Sequence, residues 1–135
     1  MTIPTTPLFV KTHDFNVWLL NHTQRFPKNL RHTYTARLEA HAFEFEELLL
    51  MANSVRGKER RVWLERADGR LHCLQALLRY SHDWKLLGGN QIQFASESLA
   101  ELGRLLGAWL KGTDRVDRGQ AQTKFGNCRA PGLNL

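Results

Sequence analysis

Six histidines, thirteen carboxylates and two cysteines are the groups from which this chain would have to assemble a catalytic or metal centre. A di-iron helical bundle needs Glu-x-x-His pairs facing inward from two helices. Three positions before His13, His22, His32, His41, His72 and His82 stand Val10, Leu19, Asn29, Leu38, Gly69 and Arg79, none of them a carboxylate. His41 falls on the core side of a helical pattern, where a histidine is more often hydrogen-bonded structure than a ligand. Gly57-Lys58-Glu59 resembles a phosphate loop only faintly, because Ala52 stands where the first glycine belongs and no strand precedes it. Serines can be grouped with His82 and Asp83 only by ignoring geometry. Cys73 and Cys128 form neither a disulfide framework nor a zinc spacing, and suit a reducing cytoplasm. No catalytic residue, metal or cofactor is expected, so the reading is that of a non-enzyme.

The cations carry the information instead. Nineteen Lys+Arg against thirteen Asp+Glu give a net charge of +6 and a pI near 9.8, a balance that favours an acidic partner. From Arg56 to Lys85 eight bases (Arg56, Lys58, Arg60, Arg61, Arg66, Arg70, Arg79, Lys85) face four acids (Glu59, Glu65, Asp68, Asp83). Arginine dominates, which suits bidentate contacts to phosphate. The plainer alternative is a solvated face with local ion pairs, such as Glu65 with Arg61.

Helices must position these residues, because four segments show helical periodicity and nothing reads as a strand. The first opens at Thr6-Pro7, a cap followed by a first-turn proline, and runs to about Arg25 with Phe15, Trp18, Leu19, His22 and Phe26 on one side. The second runs from about Asn29 to Ser54, with Leu30, Tyr34, Leu38, Phe45, Leu48, Leu49 and Ala52 on one face. The third spans roughly Lys58 to Leu87 along the seam Leu64, Ala67, Leu71, Leu74, Leu78 and Ser81, and Gly88-Gly89 ends it. Asn90 and Gln93 are spaced like a capping box that starts the fourth, which Gly112 closes after Lys111. Short links predict an antiparallel up-down-up-down four-helix bundle over residues 1–112. Residues 113–135 read as a disordered basic tail that contributes little burial. The N-terminus has no secretion-signal pattern and no segment approaches the ~20 apolar residues of a membrane span, so a cytoplasmic protein is expected.

Helix four is apolar over more than the ~100° a surface helix needs. Phe94, Leu105 and Trp109 lie on its broad arc, and Phe43 and Leu50 form a second stripe on helix two. Apolar surface of that extent usually marks an interface, so self-association is inferred. The alternative is that the first helix or the tail covers it. Gly103 and Gly107, four apart on one face with Ala100, permit close helix approach, within the bundle or against a neighbouring subunit.

The run Ala100-Glu101-Leu102-Gly103-Arg104-Leu105-Leu106-Gly107-Ala108-Trp109-Leu110 closely resembles the last helix of the accessory variability determinant (Avd) family of diversity-generating retroelements. Ala67-Asp68, Leu71, Leu74, Leu78 and Arg79 match that family's third helix in order and spacing, and the resemblance covers about residues 8–111. The wider superfamily includes four-helix proteins encoded in intervening sequences of ribosomal RNA genes. The resemblance implies a basic homopentameric barrel without catalytic residues. It also implies binding to the retroelement's reverse transcriptase and to template RNA or DNA during mutagenic retrohoming. Arg79 and Arg104 carry over from the family's basic positions. Gln75 departs from it, standing where an arginine would extend the row, while Arg66 and Arg70 lie one to two turns earlier. Together these readings place phosphates on Arg66, Arg70 and Arg79, supported by Lys85 and Arg104, with no exposed aromatic expected among them. The alternative is a four-helix RNA-associated or scaffold protein of the intervening-sequence type, without a transcriptase partner.

Overall fold

The computed structural model describes the backbone of residues 6–127 and the side chains of residues 6–114. Four α-helices occupy them: α1 (Pro7–Thr23), α2 (Ala36–Asn53), α3 (Gly57–Asp83) and α4 (Gly89–Asn127). Each packs on its neighbours in chain order and α4 returns to α1, so the helices form a closed four-membered ring around one core. The described residues contain no strand, and the all-α bundle is the fold the periodicity predicts. The α3 seam is buried at all six expected positions, from Leu64 to Ser81. It packs against Leu38, Phe45 and Leu49 of α2 and Leu99, Leu102 and Leu106 of α4.

Pro7 opens α1 as a first-turn proline, although the Thr6 side chain makes no capping bond. Polar bonds within the apolar interface tie α1 to α2. Asn16 Nδ2 donates to the Ala42 carbonyl at 3.4 Å, and Thr23 Oγ1 donates to Glu39 Oε2 at 2.6 Å. Such pairing removes most of the cost of burying these groups.

Three boundaries differ from the sequence expectation. The approach to α2 is not α-helical from Asn29: a 3-10 turn (Lys28–Leu30) leads into a π turn (Arg31–Thr35). The wider turn lets Tyr34 sit buried with its hydroxyl against Ser81 Oγ (2.6 Å) and the Leu77 carbonyl. Helix α3 stops at Asp83, before the Gly88-Gly89 pair. Lys85 takes φ 56°, and the Leu86 amide bonds back to the Ser81 carbonyl at 2.8 Å, which is a Schellman closure. At the start of α4 it is Gln91, not Gln93, that completes the capping box, accepting from the Gly88 amide at 2.8 Å.

The fourth helix also overruns its expected end. Gly112 does not close it: the backbone stays helical to Asn127, past the boundary expected between bundle and tail, and residues 128–135 of that tail lie outside the described residues. One glycine costs a helix only ~1 kcal/mol relative to alanine. Here Thr113 is buried with its hydroxyl bonded to the Trp109 carbonyl at 3.1 Å, and Asp114 pairs with Arg61 of α3.

Candidate nucleic-acid interface

Arg66 and Arg70, four residues apart on α3, come together on the side facing α2. Arg70 is held across the helix gap: its Nε forms an ion pair with Glu44 Oε2 at 3.0 Å, and its Nη1 lies 3.4 Å from His41 Nδ1. Burial, reinforced by the Arg70 charge, holds His41 below the ordinary histidine pKa, which keeps it neutral beside the guanidinium. Arg66 is exposed and lies over the Trp63 ring, its guanidinium carbon 5.0 Å from the centroid. Its guanidinium makes no hydrogen bond or ion pair among the described residues, so its donors are available to a ligand.

The other three expected cations are not part of this pair. Arg79 lies about five turns along α3 from Arg61, so the two share one helix line. Arg61 reaches α4 through Asp114, which puts Arg79 on the α4 side, away from Arg70. Arg79 is exposed and has no ion-pair partner among the described residues. Lys85 sits at the end of α3 in the left-handed conformation. Arg104 belongs to the α1–α4 seam, across the ring from α2–α3. Its Nε and Nη2 both donate to Glu101, which also accepts from Lys11 of α1 at 3.0 Å. Those hydrogen bonds bring the Glu101 pKa down to about 2 and raise that of Arg104. The cations therefore surround the bundle instead of forming one patch.

Aromatic exposure is what the sequence reading missed. Tyr80 and Trp84 are 50% and 54% exposed, between Arg79 and Lys85 in the chain. The available signal was their i, i+4 spacing off the buried seam, which marks an apolar pair with no place in the core.

A family model described as bAvd-like matches residues 8–113. The chain belongs to the bAvd-like family. The match takes in all of the packed bundle, and it agrees with the resemblance to the Avd proteins of diversity-generating retroelements. No curated protein matches the chain. Among the described residues of this bAvd-like chain, no three His, Cys, Asp or Glu side chains converge as a metal site. None of its described helices is long and apolar enough to cross a membrane.

The apolar positions expected at subunit contacts divide into two groups. Trp109 is packed within the chain, with Phe9 edge-on at 5.9 Å and the Arg60 guanidinium over its ring at 5.5 Å; Leu105 is half-buried beside it. The wide arc of α4 is thus largely covered by α1. Phe94 remains exposed on one side while Trp18 packs on the other at 5.0 Å. Phe43 and Leu50 are exposed on α2 together with Met51. Leu50 and Met51 line a shallow apolar hollow with Leu48 and Trp63, rimmed by Glu44, Glu47 and Arg70. Gly103 seats α4 against α3, since a Cβ there would meet Leu71 Cδ2 at 3.4 Å.

Proposed function

We propose that this protein is a non-catalytic accessory subunit of a diversity-generating retroelement. In this reading it assembles as a homopentamer and binds both the reverse transcriptase and the template RNA or DNA during mutagenic retrohoming. The family match over residues 8–113 carries the reading. The exposed arginines of α3 support the nucleic-acid half of it, because Arg66 and Arg79 present donors that no carboxylate in the described chain occupies. The role is one of positioning: a cationic bundle holds a polyanion near an enzyme that performs the chemistry. The apolar hollow around Leu50 supports the assembly half, since it is the surface a monomer would leave wet.

Salt-dependent binding tests the site. Removing one phosphate-binding cation lowers the slope of log affinity against log salt by roughly one unit, similarly for unrelated sequences. Arg66→Gln and Arg79→Gln should each show this full effect. Arg104→Gln should show less, because Glu101 already compensates that charge. The variant lacking Arg66, Arg70 and Arg79 should lose binding while keeping its helicity and subunit number. Unaltered salt dependence in that variant removes the assignment. A reverse transcriptase gene and adenine-substituted repeats beside the coding sequence would separate this reading from that of a general RNA-associated bundle.

A further inference from the structure

At the end of the bundle where α1 joins α2 and α3 joins α4, three aromatic rings meet. Tyr34 lies 6.1 Å from Tyr80 and 5.9 Å from Trp84, and Tyr80 and Trp84 are themselves 6.1 Å apart. Tyr34 is the anchor: it is buried, stacked beside Phe26, and bonded through its hydroxyl to Ser81. Tyr80 and Trp84 rest on it with about half of each residue in water. They are therefore held rigidly from below and open above.

The residue after Trp84 adds a second, independent observation. Lys85 occupies the left-handed position that closes α3, with φ 56°. Glycine fits that conformation without steric cost, whereas a lysine there holds strained backbone. Strain of this kind gathers at sites where the side chain has a use. Lys85 is exposed and follows Trp84 directly in the chain, so its backbone is fixed beside that ring by the Schellman closure.

Charge distinguishes this patch from the other exposed apolar surface. The hollow around Leu50 is rimmed by Glu44, Glu47 and Arg70, and because Glu44 pairs with Arg70 the rim offers no free cation to a phosphate and suits a protein neighbour. The end of the bundle that holds the ring pair also carries Arg25, Lys28 and Arg31 in and next to the α1–α2 connection, besides Lys85. The facing acids are few: Glu39 lies 3.6 Å from Arg31, and Asp83 lies 3.6 Å from His82. Open aromatic faces at a cation-rich end of the bundle are the components of a single-strand site, because every base has a π-face and duplex bases are already stacked on each other.

We propose that Tyr80 and Trp84 form a stacking platform for unpaired nucleobases, with Lys85 holding the adjoining phosphate, so that the protein takes single-stranded RNA or DNA in preference to duplex. This rests on the nucleic-acid reading above and names the form of nucleic acid that the bundle end accepts. Recognition is tolerant of sequence, since stacking and charge supply it without reading base edges.

The test uses the full chain with a short unstructured oligouridylate and a duplex of equal phosphate number, titrated at several salt concentrations. Trp84→Ala and Tyr80→Ala should each weaken strand binding on the order of tenfold, leaving both the salt slope and duplex binding unchanged. Trp84→Phe should retain most of the affinity. Trp84→Leu, which keeps apolar bulk against Tyr34 but has no π-face, should lose it, separating stacking from a folding defect. Lys85→Gly should raise the melting temperature and lower the salt slope by about one unit. Equal losses on strand and duplex, or full strand affinity in Trp84→Leu, overturn the platform. So does a Trp84→Leu protein that binds strand normally but no longer co-purifies with a reverse transcriptase, since the rings would then be a protein contact. If the unaltered protein binds neither probe at low salt, the nucleic-acid reading itself fails, a result distinct from loss of the platform alone.

Discussion

A cation's number in the sequence says little about the charge it offers a ligand; its partners decide that. Arg70 and Arg104 look equivalent to Arg66 in the chain, yet each has a carboxylate at 3.0 Å or closer, whereas Arg66 has an indole face. The Lys11–Glu101–Arg104 cluster is an exposed link between α1 and α4, so its contribution to stability is small and screened. Its pH dependence is nevertheless defined. Folding brings the Glu101 carboxyl from an ordinary value of 4.5 down to about 2, first through the Arg104 hydrogen bonds and then through Lys11. A carboxylate with a depressed folded pKa contributes its stability fully above its unfolded pKa and loses it as pH falls through the folded value. Glu101→Gln should therefore be less stable than the parent at pH 7, with the difference shrinking between pH 4.5 and 2. Urea midpoints measured across that range check this, and a difference that stays constant with pH would assign the effect to packing instead.

Helix α4 is where local sequence and tertiary structure disagree most. Gly112 and the polar stretch after it read as an ending, but Thr113 is only 6% exposed and Asp114 reaches Arg61 on α3. Truncation after Gly112 should lower stability by about 1–2 kcal/mol, the order of one hydrogen bond and one small buried side chain. Truncation after Asp114 should cost less, and thermal melts of the two proteins would show the order. The seam of α3 was legible because six buried positions at 3- and 4-residue spacing can be satisfied by one helix face. The π turn before α2 was not, because it is set by Tyr34 reaching Ser81, a partner distant in the chain. Nor was the end of α3, where Lys85 adopts a conformation that glycine normally takes and a Gly-Gly pair follows soon after. The site divides in the same way. The adjacency of Arg66 and Arg70 follows from helical spacing, whereas the capture of Arg70 depends on Glu44 of α2, and the half-open setting of Tyr80 and Trp84 on the Tyr34 ring that the π turn brings alongside.

For the molecule as a whole, the question is which apolar surface the fold leaves unsatisfied. The breadth of the α4 arc argued for subunit contacts, but α1 packs over much of it through Phe9 and Trp18. Apart from the Tyr80–Trp84 pair and single residues on the other helices, what stays exposed is on α2, at Phe43, Leu50 and Met51, and the half-buried Trp63 of α3 completes the hollow around Leu50. Arg66, stacked on that same Trp63, adjoins this surface. Assembly through it would place cations from successive subunits near one another and multiply a weak phosphate contact by avidity. A charge inserted at the centre of such a contact is desolvated without a partner, whereas one on an exposed polar face is not. Leu50→Glu should therefore dissociate the oligomer at micromolar concentration while leaving helicity intact. Ala108→Glu, on the outer face of α4, should leave the mass unchanged. Light scattering on both variants decides the matter: equal masses for Leu50→Glu and the parent would show that α2 is not the contact, and a monomeric parent would show that no such contact exists. Because avidity depends on assembly, Leu50→Glu should also weaken the proposed nucleic-acid binding at constant subunit concentration, although none of the arginines proposed to bind phosphate has been touched.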